Sequence, residues 1–149
     1  MKTIEEVLYR VPNTKAEDWH QHSNGSGWVY YSASVADSAY VGPDALVLGN
    51  ARVSGNAWVS GNAQVYGNAW VFGDAWVFGA AWETSPLYIQ GSRHSVTNCA
   101  HGSIAIGCQV HTFAEWKAKY KTIGKAAGYT AAQIKEYSHH IAYVIKVGK

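Results

Sequence analysis

The chain has little of what would tie it to a membrane, a disulfide framework or a nucleic acid. Its 149 residues contain no run approaching the roughly eighteen apolar residues of a bilayer span. Glu5, Glu6 and Arg10 follow closely on Met1, where a secretory signal would place an apolar core. Both absences lead to the expectation of a cytoplasmic protein without a membrane partner. Cysteine is sparse: Cys99 and Cys108 are the only two, and a reducing compartment keeps them as thiols. Charge is also low, with a net value of +2, and residues 113–149 hold seven lysines against Glu115 and Glu136. Lys117, Lys119, Lys121 and Lys125 spread around a helix instead of forming one basic stripe, so nucleic acid is disfavoured as a partner.

What the chain has in abundance is repetition. From residue 35 to residue 82 one six-residue phrase recurs: valine, any residue, glycine, asparagine, alanine, any residue. Valine falls at Val35, Val41, Val47, Val53, Val59, Val65, Val71 and Val77, and alanine two places before each next valine, with Ala81 expected to close the series. Six is a multiple of the strand period of two, so valine and the preceding alanine point to one face and the residues flanking valine to the other. Gly49-Asn50, Gly55-Asn56, Gly61-Asn62, Gly67-Asn68 and Gly73-Asp74 are types that reach positive φ at little cost, so each hexad reads as a short strand and a corner.

These hexads resemble those of the hexapeptide-repeat superfamily, including small bacterial and phage proteins with Gly-Asn-Ala repeats. The resemblance implies a left-handed parallel β-helix, three hexads per coil and assembly as a homo-oligomer, commonly a trimer. It stacks residues eighteen apart, giving outward columns Tyr40, Trp58, Trp76, then Leu46, Gln64, Trp82, then Arg52, Trp70. Arg52 could stack on Trp70 by a purely structural cation–π contact. With Phe72 and Phe78 in neighbouring columns, so many outward aromatics need a cover: a second subunit, the chain's own C-terminal segment or a ligand.

The expected fold class is therefore mainly β: a short left-handed parallel β-helix of under three coils with a C-terminal α-helical hairpin. Residues 1–34 read as an N-terminal cap and lead-in strand, with a short strand over 4–11, a polar loop from Pro12 to Gly27 and a strand over 27–31. Residues 35–82 are the repeat. Residues 83–111 hold short strands around Leu87-Tyr88-Ile89, Ser95-Val96-Thr97 and Ser103–Ile106. Residues 112–149 form two helices, each opened by a capping box, Thr112 with Glu115 and Thr130 with Gln133. Their apolar stripe is expected against the aromatic columns, and the whole is expected to be one compact domain.

Functional residues are expected just past the repeat. Arg93 and His94 follow a turn at Gly91-Ser92 and could bind phosphate or carboxylate, with Trp82 or Tyr88 offering an aromatic face. This favours a non-catalytic homo-oligomeric protein that sequesters a small anionic, nucleotide-like ligand and needs no cofactor. The superfamily resemblance implies an alternative, an acyltransferase using acyl-CoA with His94, His101 or His111 as general base. However, no histidine lies between Ser32 and Gln90, and the hexads lack an inserted catalytic loop. Cys99, His101, Cys108 and His111 are ligand types for zinc, though their spacing matches no zinc motif. A structural or partner-binding assembly module, suggested by the uniform repeat, is the third class.

Overall fold

A computed structural model describes residues 1–79 and 81–149. The chain forms two compact units, Met1–Pro86 and Leu87–Lys149.

The first unit opens with α1 (Ile4–Arg10), not the strand expected over 4–11. Ile4, Val7 and Leu8 follow helical spacing, and Thr3 and Glu6 form a capping box that supplies the nucleus a seven-residue helix lacks. A single 3₁₀ turn (Ala16–Asp18) leads into β1 (Trp19–Gln21), which lies inside the region expected to be loop and pairs antiparallel with β2 (Trp28–Tyr30), within the strand expected over 27–31. The solenoid strands follow: β3 (Ser34–Val35), β4 (Tyr40–Val41), β5 (Leu46–Val47), β6 (Arg52–Val53), β7 (Trp58–Ser60), β8 (Gln64–Val65), β9 (Trp70–Val71), β10 (Trp76–Phe78) and β11 (Ala81–Trp82).

They pair in parallel across one turn, as Tyr40 beside Trp58 and Trp58 beside Trp76, Arg52 beside Trp70, and Leu46 beside Gln64. The result is a parallel β-solenoid of about three turns with three faces, ordered β1-β2-β5-β8-β11, β3-β6-β9 and β10-β7-β4. The interior is a stack of valine and alanine: Val41, Val47, Val59, Val65, Val71 and Val77 are 0% exposed. At the corners, glycine takes the left-handed backbone conformation; at Gly55 φ is +67°, and Asn56 N donates to Gly73 O of the next turn at 2.9 Å.

The register expected at residue 82 breaks. Ala81 pairs with Gln64 and Trp82 with Val65, so the last step from Val77 is five residues long where the others are six. A one-residue slip turns every side chain to the opposite face. Trp82 therefore leaves the outward column and takes the inward valine site at 1% exposure, while Ala81 faces out. The first face is covered by α1 and β1, where Val7 and Trp19 bury Leu46. Trp28 Nε1 donates to Lys2 O at 2.9 Å and Lys2 Nζ to Asn62 Oδ1 at 3.2 Å, fastening the N-terminal segment to the solenoid. The other two faces keep their aromatics outward. Trp58, Trp70, Phe72 and Trp76 remain 42, 49, 40 and 37% exposed.

The second unit is a four-stranded antiparallel meander with a helical hairpin. Its strands are β12 (Tyr88–Gln90), β13 (Ser95–Ala100), β14 (Ser103–Ile106) and β15 (Gln109–Thr112), the last falling where the sequence suggested only a helix entrance. The helices α2 (Phe113–Ala126) and α3 (Ala131–Val147) both carry the expected capping boxes. Their apolar stripe meets this sheet: Trp116, Tyr137, Ile141 and Val144 pack on Val96, Ile104 and Ile106. The meander thus supplies the apolar face on which the stripe of the hairpin is buried. A bulge between Thr97 and Ala100 turns in Asn98, whose amide bonds Ala100 O and Ser103 O and both main-chain groups of Lys149. Among the described residues no helix is long and apolar enough to cross a membrane.

Candidate functional site

Between the meander and the hairpin of the second unit lies a cavity of about 340 Å³. The β14–β15 turn forms one wall through Ile106, Gly107 and Cys108. Facing stripes of α2 and α3 form the rest, with Trp116, Tyr120 and Ile123 opposite Ile134, Tyr137 and Ile141. The hairpin connection is tight at this point, where Gly128 takes φ +74° and sends Tyr129 toward the rim.

Four side chains organise that rim. Tyr137 Oη accepts from Arg93 N at 3.1 Å and His94 N at 2.6 Å, and donates to His94 O at 2.6 Å, clamping the β12–β13 loop. His94 Nδ1 lies 2.7 Å from Tyr129 Oη, and the two rings stack with centroids 5.9 Å apart. Burial, then the neighbouring Tyr137, raises the Tyr129 pKa above its ordinary value, so the phenol keeps its proton and can donate to the imidazole. Glu136 accepts from Ser92 N at 2.8 Å and from Ser92 Oγ. These bonds, with His140 at 3.2 Å, hold its carboxyl below the usual range.

Arg93 does not project freely. Its Nη1 donates to Gly128 O at 2.9 Å, satisfying a carbonyl at the end of α2, and its guanidinium lies 4.6 Å from the Tyr129 ring centre. Of the four residues expected to bind ligand, Arg93 and His94 sit together at the rim. Tyr88 pairs with Thr97 in the sheet and donates to Gln90 Oε1 at 2.9 Å. Trp82 is turned into the solenoid interior of the first unit, so it does not present the aromatic face expected of it.

The alternative sites are not assembled. Cys99 is fully buried on β13, and burial pushes its thiol up to about 11, whereas Cys108 is exposed at the cavity. His101 lies in the β13–β14 turn. His111 sits on β15, 3.0 Å from Gln109 Oε1 and 3.9 Å from Glu115, with its ring edge-on to Trp116. Among the described residues no three His, Cys, Asp or Glu side chains converge as a metal would require, so Cys99, His101, Cys108 and His111 do not form the zinc set weighed above. His94, His101 and His111, each named singly as a possible general base, lie at the rim, in a turn and on a strand.

Tyr129, Tyr137 and Glu136 were not singled out as site residues from sequence. Tyr137 carried a signal only as a member of the α3 stripe, and Tyr129 only by standing between Gly128 and the second capping box.

A family model described as the YdcK beta solenoid repeat matches residues 45–62 and 63–83. The first stretch is one solenoid turn in length, and the second runs to the end of the described strands of the solenoid. No curated protein and no solved structure matches the chain.

Proposed function

We propose that this chain is a non-catalytic homo-oligomeric binding protein that encloses a small ligand in the cavity of residues 87–149. The observation that carries this reading is the cavity itself, about 340 Å³ between sheet and hairpin with the His94–Tyr129 pair at its rim. Apolar, preformed concavities with a few convergent polar groups are how proteins hold small molecules. Oligomerisation is supported by the two solenoid faces that keep Trp58, Trp70, Phe72 and Trp76 outward. A left-handed winding and a trimer are what the hexapeptide-repeat resemblance implies; the six-residue period and the parallel stacking of the turns support that resemblance.

A nucleotide-like anion is the second reading, favoured by the exposure of Arg93 and His94 side by side. Against it, one nitrogen of the guanidinium is already bonded to Gly128 O. An acyltransferase fits less well, since a general base needs its lone pair aimed at the acceptor, and His94 Nδ1 already bonds the Tyr129 hydroxyl.

Thermal denaturation across a panel of small neutral and anionic molecules, paired with an acetyl-CoA transfer assay, tests the reading. A ligand at 100 times its Kd stabilises by about 2.7 kcal/mol. Saturable stabilisation without turnover is expected. Acetyl transfer abolished by His94→Ala, or no stabilisation by any member of the panel, contradicts it.

A further inference from the structure

We infer that the cavity takes a neutral aromatic molecule of roughly two or three fused rings carrying one hydrogen-bonding group, held with that group at His94. This rests on the binding reading above and names its ligand class.

Charge comes first. Among the described residues lining the cavity none is Asp, Glu, Lys or Arg. An ionised group drawn inside would lose its hydration without a counter-charge, which costs several kcal/mol. The ligand body is therefore uncharged.

Hydrogen-bonding capacity comes second, because most polar atoms on the wall are already committed. Trp116 Nε1 donates to Ile104 O at 2.8 Å, leaving its ring as the surface offered inward. Tyr137 Oη is used by the main chain of Arg93 and His94, and Gln109 Oε1 lies 3.0 Å from His111 Nε2. At the rim Tyr129 engages Nδ1 of His94 and leaves Nε2 to meet a ligand. A phenol proton donated to Nδ1 places the imidazole proton on Nε2, so the ligand group that fits is an acceptor or an amphoteric hydroxyl or amine.

The walls come third. Trp116, Tyr120, Tyr129 and Tyr137 line a volume at the lower end of the small-ligand range, and Tyr129 meets Tyr137 edge-to-face at 5.1 Å. Such rings bind another ring by offset or edge-on contact beyond simple burial. The volume suits a compact polycycle and leaves no room for a dinucleotide. The outward Tyr40–Trp58 pair of the solenoid does not compete on the same terms. Tyr40 and Trp58 stack at 4.0 Å with planes 24° apart, so their faces are spent on each other and their edges meet solvent.

The test uses the full-length chain and 1-aminoanthracene, a neutral polycycle with one amine whose emission rises on leaving water. One saturable site per chain is expected. Cys108→Trp and Ala127→Trp, both at exposed lining positions, should each weaken binding at least tenfold by filling the mouth. Arg52→Ala, at an exposed position of β6 in the solenoid and outside the lining, should change it by less than threefold. Absence of saturable binding, or binding unaltered in both mouth-filling variants, overturns the inference. So does binding of adenosine monophosphate but not 1-aminoanthracene, when that binding is lost in Cys108→Trp; in that case the ligand class falls while the binding reading stands.

Discussion

Removing one oxygen atom at Tyr137 should loosen the whole rim of the cavity. The side chain is 3% exposed, and its hydroxyl joins three main-chain groups of the β12–β13 loop to α3. Tyr137→Phe keeps the ring and its edge-on contact with Tyr129 but leaves two amides and one carbonyl without that partner. Three hydrogen bonds at about 0.5–1.5 kcal/mol each set a range of about 1.5–4.5 kcal/mol. Arg93 and His94 are exposed, so water can reach the orphaned groups and the lower half applies, about 1.5–3 kcal/mol. In a unit of this size each kcal/mol moves the midpoint by about 4–8 °C, so calorimetry should show a loss of roughly 6–24 °C. Tyr129→Phe loses the single bond to His94 Nδ1 and should cost less than half as much. A Tyr137→Phe midpoint within about 2 °C of wild type, or a larger loss for Tyr129→Phe, would refute the assignment of Tyr137 as the hub.

Gly55→Ala should lower solenoid stability by about 2 kcal/mol or more, because φ is +67° and a Cβ would meet Gly73 O at 2.9 Å; Gly61→Ala, whose nearest neighbour would be 3.7 Å away, should show only the conformational cost of about 1–2 kcal/mol. Urea unfolding of the two variants checks the order. Glu136 titrates lower in the folded chain than its ordinary value of 4.5, so its contribution is present above about that pH and disappears as pH falls through the folded value. The midpoint difference between wild type and Glu136→Gln, measured by calorimetry at a series of pH values, should accordingly be largest near neutrality and vanish in acid. A thiol-reactive disulfide at neutral pH should modify Cys108 within minutes and leave Cys99 untouched until the chain unfolds, since Cys99 is fully buried with its thiol raised to about 11. Two equally fast thiols by mass spectrometry would contradict the packing of β13.

The solenoid was legible because its period is a local property repeated many times: each hexad states its own strand, corner and inward valine. What escaped was decided by single residues. One missing position before Trp82 reversed its side chain, and the repeat pattern offered no second copy to expose the slip. α1 is legible in the same way, since Thr3 and Glu6 spell the capping box that also marks α2 and α3, but the mix of apolar and polar residues over 4–11 equally suggests a strand. The rim was beyond sequence reading for a different reason. Tyr137 lies 43 and 44 residues from the loop groups it binds, and Arg93 lies 35 residues from the carbonyl it caps. Arg93 and His94 were found by their chemistry, but whether their donors stay free depends on the tight turn at Gly128, which folding alone places beneath them.

Native mass spectrometry of protein purified directly from cells tests the binding claim most directly, because one spectrum reports both subunit number and any retained molecule. The account predicts a homo-oligomer in which subunits carry a small neutral organic molecule, released on collisional activation and missing from Cys108→Trp. A 16.2 kDa monomer that binds nothing, even after incubation with 1-aminoanthracene, would contradict it.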